Sequence, residues 1–325
     1  MRNRILLITS LLTLVTLASA QNFVAPRVFN FGSTVYIEQI VVGDFNGDGK
    51  PDVVFNNDYS AVQVGVSLNN GDGTFKAPLF TNVAGTEFIS MAVGDFNGDG
   101  KLDLVIGQEA DKSGFGAVRI MLGNGDGTFQ AGKTISVAST PFVIVVGDFN
   151  NDGNLDVALS FSPNTNTNPD VNILLGNGDG TLQAPTTLSL GAGANAFAAG
   201  DFNGDGKLDL IVGTSSNDNV TVALGNGDGT FQAGKTTYFG TSTSNLILGD
   251  LNNDGHLDLV FYLKDTTVTD AYVALGNGDG TFQAPKGLTP ALDIQSISLA
   301  DVNHDGNLDI LTADANSPAL VVLLG

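Results

Sequence analysis

Asp44-Phe45-Asn46-Gly47-Asp48-Gly49-Lys50-Pro51-Asp52 is the stretch on which the fold turns. Side-chain oxygens alternate at the first, third and fifth positions. A glycine follows, and a further aspartate closes the phrase at the ninth. The phrase starts again at Asp95, Asp148, Asp201, Asp250 and Asp301, at intervals of 51, 53, 53, 49 and 51 residues. A fixed period of this length marks a repeat architecture. A second phrase, Gly-Asn-Gly-Asp-Gly-Thr-Phe-Gln-Ala, follows each of the first five copies, with its aspartate at Asp72, Asp126, Asp179, Asp228 or Asp279. Its first copy is degenerate (Asn69-Asn70-Gly71-Asp72-Gly73-Thr74-Phe75-Lys76), and its third has Leu182 where the others have Phe.

Each unit carries four short apolar runs. In the third unit these are Phe142–Val146, Leu155–Leu159, Val171–Leu175 and Leu182–Leu190. Runs of this length, rich in Val, Ile, Leu and Phe and separated by Gly, Asn and Asp, read as strands. The Asn-Gly and Asp-Gly pairs supply the positive φ that tight hairpins need. The expected fold is all-β. A unit is a four-stranded antiparallel meander, strands A to D, and such units build the blades of a β-propeller.

The chain stops at Leu324-Gly325, which aligns with Leu275-Gly276 just before a second phrase begins. Phe23-Val24-Ala25-Pro26 aligns with Phe282-Gln283-Ala284-Pro285, just after one. The missing strand D of the last unit thus sits near the N-terminus, and six blades close by pairing it with the last three strands. Closure removes open sheet edges. An incomplete array, or a fragment of a seven-bladed ring, is the alternative.

Residues 1–20 read as a secretory signal peptide: Arg2 and Arg4, an apolar run from Ile5 to Leu17, then Ala18-Ser19-Ala20. An uncleaved anchor is the alternative, but the run is short for a span of about 20 residues. Residues 21–325 form a single propeller domain, expected to be secreted or extracytoplasmic, with no membrane span once the signal is cleaved.

The formal charge is −21, from 13 Lys plus Arg against 34 Asp plus Glu. Such a chain does not attract nucleic acid or an anionic membrane by charge. Cys is absent, which excludes disulfides, a thiolate nucleophile and zinc–thiolate sites. Three acids are glutamate (Glu38, Glu87, Glu109), leaving 31 aspartates, and the two repeated phrases hold 23 of them.

The first phrase carries the chemistry. Positions 1, 3, 5 and 9 offer side-chain oxygens, and position 7 offers its carbonyl. The candidate ligand sets are Asp44, Asn46, Asp48, Lys50 and Asp52; Asp95, Asn97, Asp99, Lys101 and Asp103; Asp148, Asn150, Asp152, Asn154 and Asp156; Asp201, Asn203, Asp205, Lys207 and Asp209; Asp250, Asn252, Asp254, His256 and Asp258; and Asp301, Asn303, Asp305, Asn307 and Asp309. An all-oxygen set with three carboxylates suits Ca²⁺, up to six in all, whereas Mg²⁺ wants a tighter octahedron. Zinc or copper would want imidazole or thiolate. The β-forming flanks and the aspartate at position 9 distinguish the loop from an EF-hand. The competing reading is metal-free Asx-turns that close A–B hairpins. The Asn-Gly-Asp-Gly turns read as plain hairpins.

Val-Gly-Asp-Phe-Asn-Gly-Asp-Gly-Lys-Leu-Asp-Leu and Leu-Gly-Asn-Gly-Asp-Gly-Thr-Phe resemble FG-GAP/VCBS repeats, the calcium-loop propeller repeats also found in the integrin α head and in some secreted lectins and enzymes. The resemblance covers residues 21–325 and implies a β-propeller with one Ca²⁺ per intact A–B loop. It implies no particular ligand. Integrin heads have seven blades and this chain has six units, so an integrin-like ligand surface does not carry over.

In a meander the A–B and C–D turns share one face, and here they are nearly uniform. The B–C loops and D-to-A connections share the other, and they vary: Asn56–Ser60, Gln108–Gly116, Ser162–Asp170, Ser215–Asn219, Lys264–Asp270 and Asp314–Pro318. Variable loops suit recognition. The expected activity is therefore a calcium-stabilised binding or adhesion module for a protein or glycan ligand, held opposite the calcium loops. A carbohydrate-active lyase or hydrolase on the same scaffold is the alternative. It would have to use singletons such as Glu87, Glu109, Arg119 and Lys264, so no catalytic residue is assigned and the chain reads as a non-enzyme. His256 and His304 fall inside the aspartate loops.

Overall fold

A computed structural model describes residues 37, 39–57, 62–161, 171–190, 194–214, 218–240, 243, 245–262, 271–288, 294–314 and 320–325. The expected signal peptide and the Phe23–Pro26 strand lie outside the described residues. So does most of each variable B–C loop except Gln108–Gly116.

The described residues form 23 strands in six antiparallel sheets, with no helix. The first sheet holds β1 (Ile40–Gly43), β2 (Asp52–Asn57), β3 (Gln63–Ser67) and β4 (Leu79–Asn82). The second holds β5 (Phe88–Gly94), β6 (Asp103–Gln108), β7 (Gly116–Met121) and β8 (Thr134–Val137). The third holds β9 (Pro141–Gly147), β10 (Asp156–Phe161), β11 (Val171–Leu174) and β12 (Thr186–Leu188). The fourth holds β13 (Ala194–Gly200), β14 (Asp209–Thr214), β15 (Asn219–Ala223) and β16 (Lys235–Tyr238). The fifth holds β17 (Asn245–Gly249), β18 (Asp258–Tyr262), β19 (Ala271–Ala274) and β20 (Lys286–Leu288). The sixth has three described strands, β21 (Ile294–Ala300), β22 (Asp309–Asp314) and β23 (Leu320–Leu323). Every sheet is a meander in chain order, as the period requires.

The last strand of each unit is shorter than its apolar run. In the third sheet Leu182 makes an isolated bridge with Gly176, and ladder pairing resumes only at Thr186. The same gap recurs with Gly132 or Gly234 in place of Pro185, so it belongs to the shape of the turn rather than to proline. The C–D turns are also wider than two-residue hairpins. Asn124 N–H donates to the Thr128 carbonyl at 2.9 Å across Gly125-Asp126-Gly127. Both glycines are left-handed, with φ of 76° and 84°.

Consecutive sheets meet through their first strands, β1 beside β5, β5 beside β9, β9 beside β13, β13 beside β17 and β17 beside β21. The buried apolar residues fall into five clusters, one between each consecutive pair of sheets. This is a propeller-like array, and three contacts recur at its junctions.

In the first contact, the aromatic residue of an A–B loop meets that of the next C–D turn. Phe45 faces Phe129 edge-on with ring centroids 5.8 Å apart, and Phe202 faces Phe282 at 5.9 Å. In the second, a turn glycine donates its N–H to the carbonyl of that loop aromatic, as Gly127 does to Phe45 at 3.1 Å and Gly229 to Phe149 at 3.0 Å. In the third, the last residue of the first strand in each of the first five sheets is a glycine under which the next loop's position-8 leucine is tucked. A Cβ on Gly43 would lie 2.5 Å from Leu102 Cδ1, and one on Gly94 would lie 2.5 Å from Leu155 Cδ1. The glycine is required by that close approach. Gly147 with Leu208, Gly200 with Leu257 and Gly249 with Leu308 repeat the arrangement.

Candidate metal centre

Each A–B loop leaves its sheet at a glycine or alanine paired with the position-9 aspartate: Gly43 with Asp52, Gly147 with Asp156, Ala300 with Asp309. Between them the chain coils around its own aspartates. Asp44 Oδ1 accepts from Asp48 N–H at 3.1 Å, and Oδ2 accepts from Gly49 N–H at 2.7 Å. Asn46 Oδ1 accepts from the same Asp48 N–H at 2.9 Å, and Asp48 Oδ1 accepts from Lys50 N–H at 3.0 Å. The loops at Asp95, Asp148, Asp201, Asp250 and Asp301 reproduce this ladder. Oxygens from positions 1, 3 and 5 therefore gather on the concave side of every coil.

Position 4 is left-handed throughout, as Gly47, Gly98, Asn151, Gly204, Asn253 and His304. Asparagine tolerates that conformation and histidine adopts it less readily. This constraint was readable from the three glycines at that position. It also explains His304, which holds a backbone conformation.

Where position 7 is lysine, its ammonium pairs with the position-5 carboxylate. Lys50 lies 3.1 Å from Asp48, Lys101 3.7 Å from Asp99, and Lys207 3.7 Å from Asp205. That pairing, chiefly the hydrogen bond from Lys50, holds the Asp48 carboxyl below the usual range. Where position 7 is Asn154, His256 or Asn307, the position-3 amide donates to the carboxylate instead: Asn150 to Asp152 at 2.9 Å, Asn252 to Asp254 at 2.9 Å, and Asn303 to Asp305 at 2.8 Å. Each position-5 carboxylate thus already has a partial positive neighbour.

The position-9 aspartates stand apart. Asp52, Asp103, Asp156, Asp209, Asp258 and Asp309 are each fully buried. One oxygen accepts the N–H at position 2, as Asp156 does from Phe149 at 2.8 Å. The other accepts the N–H that opens the same unit's C–D turn, from Gly176 at 2.7 Å. The other five make the same two bonds, down to the N–H of Gly325 on Asp309 at 2.9 Å. Burial raises the carboxyl pKa of Asp52, Asp103, Asp156, Asp209 and Asp258. The two N–H donors oppose that rise, and the carboxylates at positions 1 and 5 add to it.

Among the described residues, no three acidic or histidine side chains converge to hold an ion as they stand. The structure brings positions 1, 3 and 5 together and commits position 9 to backbone donors. The donor set still fits a hard cation in kind: it is oxygen only and it carries exposed carboxylates.

Of the residues considered for catalysis, Arg119 is engaged by the main chain. Arg119 is half-buried and donates to the carbonyls of Gly132 at 2.8 Å and Ala84 at 3.0 Å. Burial lowers its pKa. Glu109 N–H donates to the Glu87 carbonyl at 2.7 Å, which brings the two glutamates side by side with both exposed. Lys264 lies outside the described residues.

A family profile described as an FG-GAP-like repeat matches residues 44–106, 107–159, 160–212, 201–261 and 262–312. Among solved structures, a mutant NanB sialidase from Streptococcus pneumoniae is similar over 90% of this chain and 68% of its own, at 9% identity and a TM-score of 0.56. The Tc holotoxin pore of Photorhabdus luminescens is similar over 90% of this chain at 19% identity and a TM-score of 0.48, and the chain spans 14% of the toxin's length. No curated protein matches the chain.

Asp156→Asn replaces one acceptor with a donor that faces a backbone N–H. It is expected to cost about 2–3 kcal/mol, read as a lower urea midpoint with or without calcium. An unchanged midpoint would show that the two bonds carry no stability.

Proposed function

The chain belongs to the FG-GAP-like repeat family, and from that premise we propose that it is a secreted, calcium-stabilised β-propeller that acts as a binding or adhesion module for a protein or glycan ligand. The observation that carries the calcium reading is the sixfold ladder of position-1, -3 and -5 oxygens on one face of the array. Asp44, Asn46 and Asp48 and their counterparts would hold the ion, with the position-7 carbonyl and the position-9 carboxylate completing the oxygen set. A bound Ca²⁺ would add positive charge beyond that of Lys50, Lys101 and Lys207.

The ligand is assigned to the opposite face, where loops differ from unit to unit. Binding is favoured over catalysis because Arg119 is tied to main-chain carbonyls. On the one B–C loop that is wholly described, Asp111 and Gly114 close a turn that leaves Phe115 58% exposed, a surface suited to contact.

The ring is closed by the N-terminal strand around Phe23–Pro26, which adds the fourth strand to the sixth sheet beside β23. Three observations support this. Val322, Leu324 and Val302 are 38%, 66% and 45% exposed at that end of the array. Val302 occupies the loop position at which Phe45, Phe96, Phe149 and Phe202 are buried. The glycine–leucine contact of the five junctions is replaced at the two ends by Ala300 and Pro51, where one side adds a methyl and the other is smaller.

Chelation with EDTA is expected to lower the melting temperature by at least about 10 °C and added Ca²⁺ to restore it. Each site filled at 100 times its dissociation constant contributes about 2.7 kcal/mol. Identical melting curves would end the calcium reading. On glycan and extracellular-protein arrays, the calcium-loaded protein should give specific hits that chelation removes, and polysaccharide turnover would favour the enzyme instead. Closure is tested by a double-mutant cycle. Pro51→Leu alone should cost about 1–3 kcal/mol by pressing on Ala300, and Ala300→Gly should recover it. Simple additivity would mean the ends do not meet.

A further inference from the structure

The large residue of each C–D turn reaches across to the preceding sheet. Phe129, Phe231 and Phe282 each put a ring against the loop aromatic there, at 5.8, 6.0 and 5.9 Å between centroids. Between the second and third sheets this residue is Leu182, and Phe96 meets no ring from it. Beside Leu182 lies a cleft of about 280 Å³. Val118, Ile120 and Ile135 of β7 and β8 form its apolar wall, and Lys133 and Thr134 stand at its rim.

The sister junctions show what that wall accommodates. Phe129 packs in one cluster with Val64 and Val66, the counterparts of Val118 and Ile120, and Phe282 does the same with Val220 and Val222. The rim is also unlike its counterpart. Lys235, which matches Lys133, donates to the Asp279 carbonyl at 2.7 Å. Lys133 makes no such bond among the described residues, and it is exposed. The nearby Asp179 accepts from the Thr181 N–H at 2.9 Å and the Thr181 hydroxyl at 2.5 Å; those bonds chiefly hold its carboxyl low, and the Lys133 charge adds a smaller share.

We propose that this cleft binds a small aromatic carboxylate, with its ring against Val118, Ile120 and Leu182 and its carboxylate beside the Lys133 ammonium. A benzene ring fills an apolar cavity of about 150 Å³, so the cleft has room for a ring and a short acidic arm. The rim charge selects an acid over a neutral analogue. The site is separate from the variable-loop face, and its occupancy does not depend on that face having a ligand.

The test is a titration of the calcium-loaded mature chain, methyl-labelled at Ile, Leu and Val, with 3-phenylpropionate. Benzyl alcohol serves as the uncharged comparison. Saturable shifts are expected at Val118, Ile120, Ile135 and Leu182 and not at Val220 or Val222 of the ring-filled junction. Leu182→Phe, which restores the sister ring, should weaken binding at least tenfold while the melting temperature holds or rises. Ile135→Trp closes the same cleft from the opposite wall and should act alike, which guards against a poorly folded first variant. Lys133→Gln should weaken phenylpropionate about tenfold and leave benzyl alcohol unchanged. The proposal is overturned by shifts that do not saturate, by shifts spread equally over the junctions, or by binding that survives both cleft-filling variants.

Discussion

Six buried carboxylates hold each unit to itself. A carboxylate removed from water is costly unless it is fully hydrogen-bonded. Asp52, Asp103, Asp156, Asp209, Asp258 and Asp309 meet that demand with two backbone N–H groups each, one from the aspartate loop and one from the hairpin on the far side of the same sheet. The charge thus joins two turns that are distant in sequence. It fixes the loop's exit relative to the C–D turn, and so it sets where positions 1, 3 and 5 lie. The residue expected from the sequence as a fifth ligand is thus the one that organises the sheet.

Outward from that staple, the first four loops are tied to the next unit. The position-2 residue that gives its N–H to the buried aspartate gives its carbonyl to the following turn, as Phe149 does to Gly229 at 3.0 Å. Its ring then packs on that turn's Phe231. One residue therefore links the carboxylate, the main-chain strap and the apolar junction. Stability in such an array is close to a sum of unit terms and neighbour terms. Here the two kinds of term share atoms.

Much of this was legible in the residues. The period gave six units, the apolar runs gave strands A to C nearly to their ends, and the glycines marked both turns. Strand D is shorter than its apolar run because the turn residue, Leu182 in the third unit, bridges once and the ladder resumes only after a gap that recurs in every described unit with a strand D. Position 9 was read only as a metal ligand. Its second role needs a partner, Gly176 N–H, that lies 20 residues away and carries no side chain to notice. Position 4 could have been seen, since glycine alternates there with asparagine and histidine. The contacts of the position-8 leucine could not, because a leucine under a neighbouring glycine has no signature apart from its junction. The variable loops were legible as variable and no further.

A chain of near-identical units has a counting problem. Any loop leucine fits beneath any strand-ending glycine, so while the protein folds, a blade can dock on the wrong neighbour and the array can skip or swap a unit between molecules. The glycine–leucine lock is blind to address. Ala300 and Pro51 are the two positions that break the code, and they sit at opposite ends. Neither fits the common partner well: a leucine meets the Ala300 methyl, and Pro51 leaves space beneath a glycine. An array that docks one of these positions on a common partner therefore meets a mismatch that the other junctions do not have.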